Sequence, residues 1–160
     1  MMLRPATAAD LPAVQALWSD PAHAMQVPPP EDGEAEALCD AGLLWLWQDA
    51  GQLAGFAALT VWSASDGTWG ITHFATARRG RGDGRRFLRA LLAELFDKRG
   101  IHRLSVDSAP DNTPALRLWQ RAGFRQEGCL RQCWKRPDGV WTDSLLFGLL
   151  APERNPAALD

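Results

Sequence analysis

Between residues 79 and 84 the chain reads Arg79-Gly80-Arg81-Gly82-Asp83-Gly84, with glycines alternating with charged side chains. Immediately upstream, Thr68 to Ala75 has strand character. Immediately downstream, Phe87, Leu88, Leu91, Leu92, Leu95 and Phe96 recur on one face of a helix that Gly100 closes with a left-handed cap. A strand that runs straight into a glycine turn and then a helix presents unpaired backbone N–H groups at the positive end of the helix dipole. Glycine lets a ligand approach the main chain with no Cβ in the way. The segment predicts an anion site, with Arg79, Arg81 and Arg85 adding charge-assisted hydrogen bonds.

The flanking elements follow from local chemistry. Met2-Leu3-Arg4-Pro5 reads as a short strand, and Thr7 caps a helix on which Leu11, Val14, Leu17 and Trp18 recur at helical spacing. Pro21 to Gly33 contains Pro28-Pro29-Pro30 and is a loop, after which Glu34 to Asp40 resumes a short helix. Strands over Leu43 to Gln48, Leu53 to Val61 and Thr68 to Ala75 are joined by short turns and form an antiparallel meander. A strand at Arg103 to Asp107 follows the glycine-entered helix. Asn112-Thr113-Pro114 then starts a helix carrying Ala115, Leu118, Trp119 and Ala122 on one face, closed by Gly123. Arg125 to Lys135 and Val140 to Leu150 form a last strand pair around Pro137-Asp138-Gly139. The order is β-α-α-β-β-β-α-β-α-β-β.

A chain of 160 residues with 46% apolar and 22% charged residues fits one globular core rather than a disordered, fibrous or membrane protein. The expected division is one domain over residues 1–150 and a tail over 151–160. A net charge of -2, with both signs interspersed, supplies no field for nucleic acid. The local exception is the cluster Arg78, Arg79, Arg81, Arg85, Arg86 and Arg89 around the glycines. Cys39, Cys129 and Cys133 form no CxxC pair and have no histidines at zinc spacing, so they are expected to be reduced thiols, with no metal. The chain opens on no secretory signal and holds no apolar run of about 18 residues, which predicts a cytoplasmic protein with no membrane partner.

Nucleotide-binding loops of the commoner kinds do not fit. A Walker loop needs Lys-Ser or Lys-Thr where Arg85-Arg86 stands, and a dinucleotide fingerprint needs a different glycine spacing. Arg79 through Leu88 instead resembles the coenzyme A loop of the GNAT superfamily of N-acetyltransferases, whose pattern R/Q-x-x-G-x-G/A falls on Arg79, Gly82 and Gly84. The segment Asn112-Thr113-Pro114-Ala115-Leu116-Arg117-Leu118-Trp119-Gln120-Arg121-Ala122-Gly123-Phe124 resembles the second signature of that superfamily. The two motifs occur in the superfamily's order, separated by one helix and one strand. The resemblance implies an α/β (α+β) GNAT-like domain: a central mixed, largely antiparallel twisted sheet of about seven strands flanked by about four helices.

It also implies acetyl-CoA as the cofactor and direct attack by a neutral primary amine on its thioester. The strands Thr68 to Ala75 and Arg103 to Asp107 would splay around the pantetheine arm. Backbone groups at Phe74, Ala75 and Thr76 would bond that arm and polarise the thioester carbonyl. With Gly80, Gly82, Asp83 and Gly84 of the loop, and Asn112, Ala115 and Trp119 of the second motif, these residues and Arg79, Arg81 and Arg85 make up the implied cofactor site. His73 is the first candidate to relieve the amine of its proton, and Asp107 the second. Trp119 stands where many relatives place a tyrosine acid, and the chain contains no tyrosine. An indole donates a hydrogen bond but is no proton acid, so protonation of the leaving thiolate goes unassisted, at a cost of about 10²–10⁴-fold at most. Asp83 stands where relatives commonly carry an aliphatic residue. Beside a pyrophosphate it must pair with an arginine such as Arg86 or repel the ligand.

In the superfamily the acceptor usually lies between the first helix pair and the last hairpin. Here these are Pro21 to Asp40 and Gln132 to Asp143, with His23, Glu31, Asp32, Trp134 and Trp141. The expected partner is a small-molecule or peptide amine, and the resemblance is compatible with a homodimer. Two further readings stand beside the enzyme. One is a non-catalytic module of the same fold that binds coenzyme A or a protein, motivated by Trp119 and Asp83. The other is an adhesion ligand displaying Arg81-Gly82-Asp83.

Overall fold

A computed structural model describes residues 1–78 and 80–160; Arg79 lies outside the described residues. The alternating segments resolve into the strands β1 (Met2–Pro5), β2 (Leu44–Asp49), β3 (Gln52–Ser63), β4 (Thr68–Thr76), β5 (Arg103–Ser108), β6 (Arg125–Lys135) and β7 (Trp141–Leu150). They form one seven-stranded sheet in the order β1-β2-β3-β4-β5-β7-β6. Short links give antiparallel neighbours, as between β2 and β3, where Ala50 (φ 48°) and Gly51 (φ 78°) both take the left-handed conformation of a tight hairpin turn. Among the described residues only β4 and β5 pair in parallel, because a helix must cross between them.

The helices α1 (Leu11–Trp18), α2 (Glu34–Asp40), α3 (Asp83–Leu92) and α4 (Thr113–Arg121) cover both faces of the sheet, and the core divides accordingly. On one face Ala57, Leu59, Ile71, Leu104, Val106 and Leu149 pack with Phe87, Leu88 and Leu91 of α3 and with Trp119 of α4. On the other face Leu44, Leu46, Phe56, Ala58 and Ala75 pack with Val14 and Trp18 of α1 and Ala35 of α2. Burying each large side chain contributes about 1.5–3 kcal/mol, so most of the helical stability comes from these stripes rather than from propensity.

The ends of the elements show chemistry that periodicity does not reveal. The helix α3 continues through a π-helical segment, Ala93–Lys98, before Gly100 turns the chain at φ 67°. Residues 151–160 contain two short 3₁₀ turns, Ala151–Glu153 and Pro156–Leu159, and Leu159 is buried in the α3-side core. No helix among the described residues is long and apolar enough to cross a membrane.

Candidate active site

The sheet opens at its centre. β4 and β5 are paired from Thr68↔Arg103 to Ile71↔Val106 and no further, although β4 continues to Thr76 and β5 to Ser108. A bulge on β4 sits at the parting. Ala58 of β3 pairs with His73 and its neighbour Leu59 with Ile71, so Thr72 is an extra residue, and its hydroxyl donates to Ala58 O at 3.2 Å. A bulge bends its strand and ends the pairing on one side. Beyond it β4 stays bonded to β3 as far as Gly55↔Thr76, while its other edge faces the opening. Phe74, Ala75 and Thr76 lie on that edge, whose amides and carbonyls can take an extended chain as an added strand.

β4 leads directly into the glycine turn. Gly80 (φ 75°) and Gly82 (φ 73°) occupy the left-handed region, and a Cβ at either would meet nothing within 4 Å. Gly82 is the N-cap of α3 and has no side chain with which to bond the first-turn amides, which leaves them for an external acceptor. Gly84 is where three elements meet: a Cβ there would lie 3.7 Å from Leu118 of α4, 3.9 Å from Thr76 and 4.0 Å from Phe74 of β4. The two sequence motifs thus meet at one corner. Arg81 is exposed, and Arg85 Nη1 donates to the main-chain oxygen of Asp160 at 3.1 Å. The Asp83 carboxylate is buried and accepts from Arg86 Nη2 at 2.9 Å, the expected partner, and from Arg78 Nε at 3.2 Å. A carboxylate so enclosed cannot reach a receptor, which removes the adhesion reading of Arg81-Gly82-Asp83.

Across the opening, Trp119 is buried with its ring edge-on to Phe74 and Phe124, and its Nε1 donates to Ser108 Oγ at 2.9 Å. Asn112 caps α4, its Oδ1 accepting from Ala115 N at 3.4 Å, and Ala115 is half-buried against the α3-side core. His73 and Asp107 project from β4 and β5 on the opposite face, that of α1 and α2. The His73 ring lies 4.6 Å from Trp18, and its Nδ1 is 3.3 Å from Thr72 Oγ1. Burial pushes the His73 pKa below its ordinary value, while the Glu34 and Asp107 carboxylates oppose that shift. At neutral pH the imidazole is therefore uncharged and able to accept a proton. Asp107 is exposed and accepts a hydrogen bond from Ser144 of β7.

The two walls expected around an acceptor do meet. Arg136, beyond β6, bonds Asp111 through both terminal nitrogens (2.8 and 2.5 Å) and lies 3.5 Å from Gln26 Oε1 in the α1–α2 loop. Its guanidinium also stacks 5.5 Å over Trp134, and it holds the Asp111 carboxyl below the usual range. Trp141, Glu31 and Asp32 are exposed, and His23 is buried. Sequence reasoning named Arg78 only as a member of the arginine cluster, with no role of its own, and missed Thr72, Ser108 and the Arg136–Asp111 pair. The excess of arginines before the turn was a usable signal for Arg78; the others depend on strand register and loop packing.

Residues 1–125 match the family model described as the acetyltransferase (GNAT) domain. A probable N-acetyltransferase, YjcK, from Bacillus subtilis (strain 168) is 30% identical over 77 residues, 48% of this chain and 42% of that protein. An aminoglycoside N(6')-acetyltransferase type 1 from Klebsiella pneumoniae is 33% identical over 60 residues, 38% of this chain and 28% of that protein. These matches span less than half the length of the curated relatives. Among solved structures, the spermidine N-acetyltransferase from Vibrio cholerae in complex with CoA and spermine superposes with a TM-score of 0.82 at 20% identity, covering 95% of this chain and 96% of that one. The ribosomal-protein-alanine N-acetyltransferase from Brucella melitensis does so with a TM-score of 0.77 at 24% identity, covering 94% and 99%. With the family model covering most of its length and these structures sharing its fold, the chain belongs to the GNAT acetyltransferases.

Proposed function

We propose that the protein transfers the acetyl group of acetyl-CoA to a primary amine held together with it in one complex. The observation that carries this reading is the parting of β4 and β5 after Ile71↔Val106, with the glycine turn at the end of the same strand. The residues present fit the cofactor. The open edge of β4 suits a chain of amides such as the pantetheine arm, and the empty space above Gly80 and Gly82 admits a diphosphate to the amides of α3. When bound, acetyl-CoA supplies an activated acyl group on a thiol of pKa about 8.5.

The protein's own part is positioning and proton handling. The first turn of α3 and Arg81 hold the diphosphate, and main-chain groups from Phe74 to Thr76 hold the arm and turn an N–H toward the thioester carbonyl. Neutral His73 takes the proton of the incoming ammonium, with Asp107 on the same face to stabilise the imidazolium. The Trp119 N–H is committed to Ser108, whose own hydroxyl proton remains to hydrogen-bond the departing sulfur. The acceptor enters between the α1–α2 loop and the β6–β7 hairpin, where Gln26, Asp111 and Arg136 join the two walls.

Calorimetry with acetyl-CoA followed by a thiol-release assay across small amines, polyamines, aminoglycosides and peptide N-termini tests this reading. Micromolar to millimolar binding with turnover of at least one amine supports it. A second reading, a coenzyme A-binding module without turnover, draws on Trp119 itself, an indole committed to Ser108 in a chain that contains no tyrosine to serve as a phenolic acid. Binding without thiol release on any amine would favour that module.

A further inference from the structure

A carboxylate at the entrance of a helix that is to receive a diphosphate opposes the ligand unless its charge is cancelled. Asp83 is such a group, and the structure shows how it is handled. Its side chain is 0% exposed, with Oδ1 bonded to Arg86 Nη2 and Oδ2 to Arg78 Nε. Arg86 Nη2 also donates to Arg81 O at 2.9 Å, which ties the turn to the first coil of α3. Arg78 is held from its other end: Nη2 donates to Asp49 Oδ2 at 2.7 Å, at the turn between β2 and β3. Asp49, Arg78, Asp83 and Arg86 thus form a line of alternating charge from the end of β2 to the glycine turn. Without Arg78 the line loses one of its two cations: Asp83 keeps Arg86 alone, its Oδ2 loses its partner, and Asp49 loses the cation bonded to it.

We propose that Arg78 is a positioning residue for the cofactor: anchored on Asp49, it neutralises Asp83 and keeps that carboxylate turned inward, so the first-turn amides of α3 meet the diphosphate unopposed. The proposal rests on the diphosphate reading of the glycine turn and adds a residue that contributes through Asp83 rather than by touching the ligand. Two of the nitrogens of Arg78, Nε and Nη2, are already occupied by carboxylates, which agrees with that indirect role.

A double-mutant cycle tests it, read by calorimetric Kd for CoA and by KM for acetyl-CoA and for S-acetyl-pantetheine, which carries the thioester and the arm without the diphosphate. Arg78→Met is expected to raise the CoA Kd and the acetyl-CoA KM about tenfold, with kcat at saturation and the acetyl-pantetheine KM unchanged. In the Asp83→Asn background the same change is expected to cost less than about twofold, because the charge it offset is gone. An equal loss in both backgrounds would mean that Arg78 meets the diphosphate itself and would overturn the proposal. An equal loss for both thioesters would mean general loosening of the site and would overturn it too. If Arg78→Met does not fold, Asp49→Asn keeps the Arg78–Asp83 pair and removes its anchor. It is then expected to show the same selective loss at about threefold, and no change there would count against the anchored arrangement. Wild-type protein that binds no CoA would remove the diphosphate reading itself, before any variant is compared.

Discussion

The hydroxyl of Ser108, at the end of β5, accepts the indole N–H of Trp119 from α4 at 2.9 Å, closing the floor of the central opening. Both residues are buried, so the bond is shielded from water. Trp119→Phe keeps an aromatic ring and deletes the donor. The expected result is a loss of about 1–3 kcal/mol in urea unfolding, from the unpaired hydroxyl and the lost ring volume. The kcat should stay within about threefold, because an indole is no proton acid. A fall of about 10²-fold with the fold intact would assign the indole N–H a direct part at the sulfur.

His73 makes both stability and rate depend on pH. Its folded pKa lies below the unfolded value of about 6.5, so the unfolded chain binds more protons between those two values and stability declines as pH drops below about 6.5. His73→Gln should flatten that part of a thermal-unfolding profile. If His73 accepts the amine proton, the same variant also lowers kcat by about 10²-fold and removes the acidic limb of kcat/KM. A variant with an unchanged limb would move the role of base to Asp107 or to water.

Gly82→Val tests the turn. At φ 73° a β-branched residue is strained by about 1–2 kcal/mol, yet its Cβ meets no neighbour within 4 Å, so the fold survives. CoA affinity is expected to fall more than about 10²-fold by calorimetry with an unchanged circular-dichroism spectrum, because the side chain projects into the space proposed for the diphosphate. Unchanged affinity would place the ligand elsewhere.

Arg136, beyond β6, bonds Asp111 between β5 and α4 and reaches Gln26 of the α1–α2 loop, 110 residues away in sequence. Arg136→Met should raise the KM for the acceptor amine by about threefold to tenfold and leave that for acetyl-CoA unchanged. Equal changes in both would mean that the loops act on the whole domain. The depressed Asp111 pKa makes the pair a source of stability that is present above about pH 4 and lost as pH falls through the lower folded value.

The architecture was legible because its signals are local. Apolar residues at helical spacing placed α3 and α4, Asn112 and Pro114 marked a helix start, and the short turns fixed the antiparallel meander. The glycine turn was legible as a motif, and Asp83 was expected to pair with an arginine such as Arg86 because a free carboxylate there would repel a phosphate; the two stand three residues apart on α3 and do bond. What stayed hidden depends on contacts between distant segments. Thr72 reads as an ordinary strand residue, and only the registers of β3 and β5 make it the bulge that opens the sheet. Asp49 with Arg78, Trp119 with Ser108, and Arg136 with Asp111 are brought together by tertiary packing that no periodicity announces.

In the proposed function the parted strands and the first turn of α3 jointly hold a diphosphate-bearing thioester. Amide resonances followed by NMR while CoA is titrated into labelled protein test it directly. Saturable shifts are expected at Gly82, Asp83, Gly84 and Arg85, together with Ala75 and Thr76 on the open edge of β4. Saturable shifts confined to other parts of the sheet, or no shifts at millimolar CoA, would contradict it.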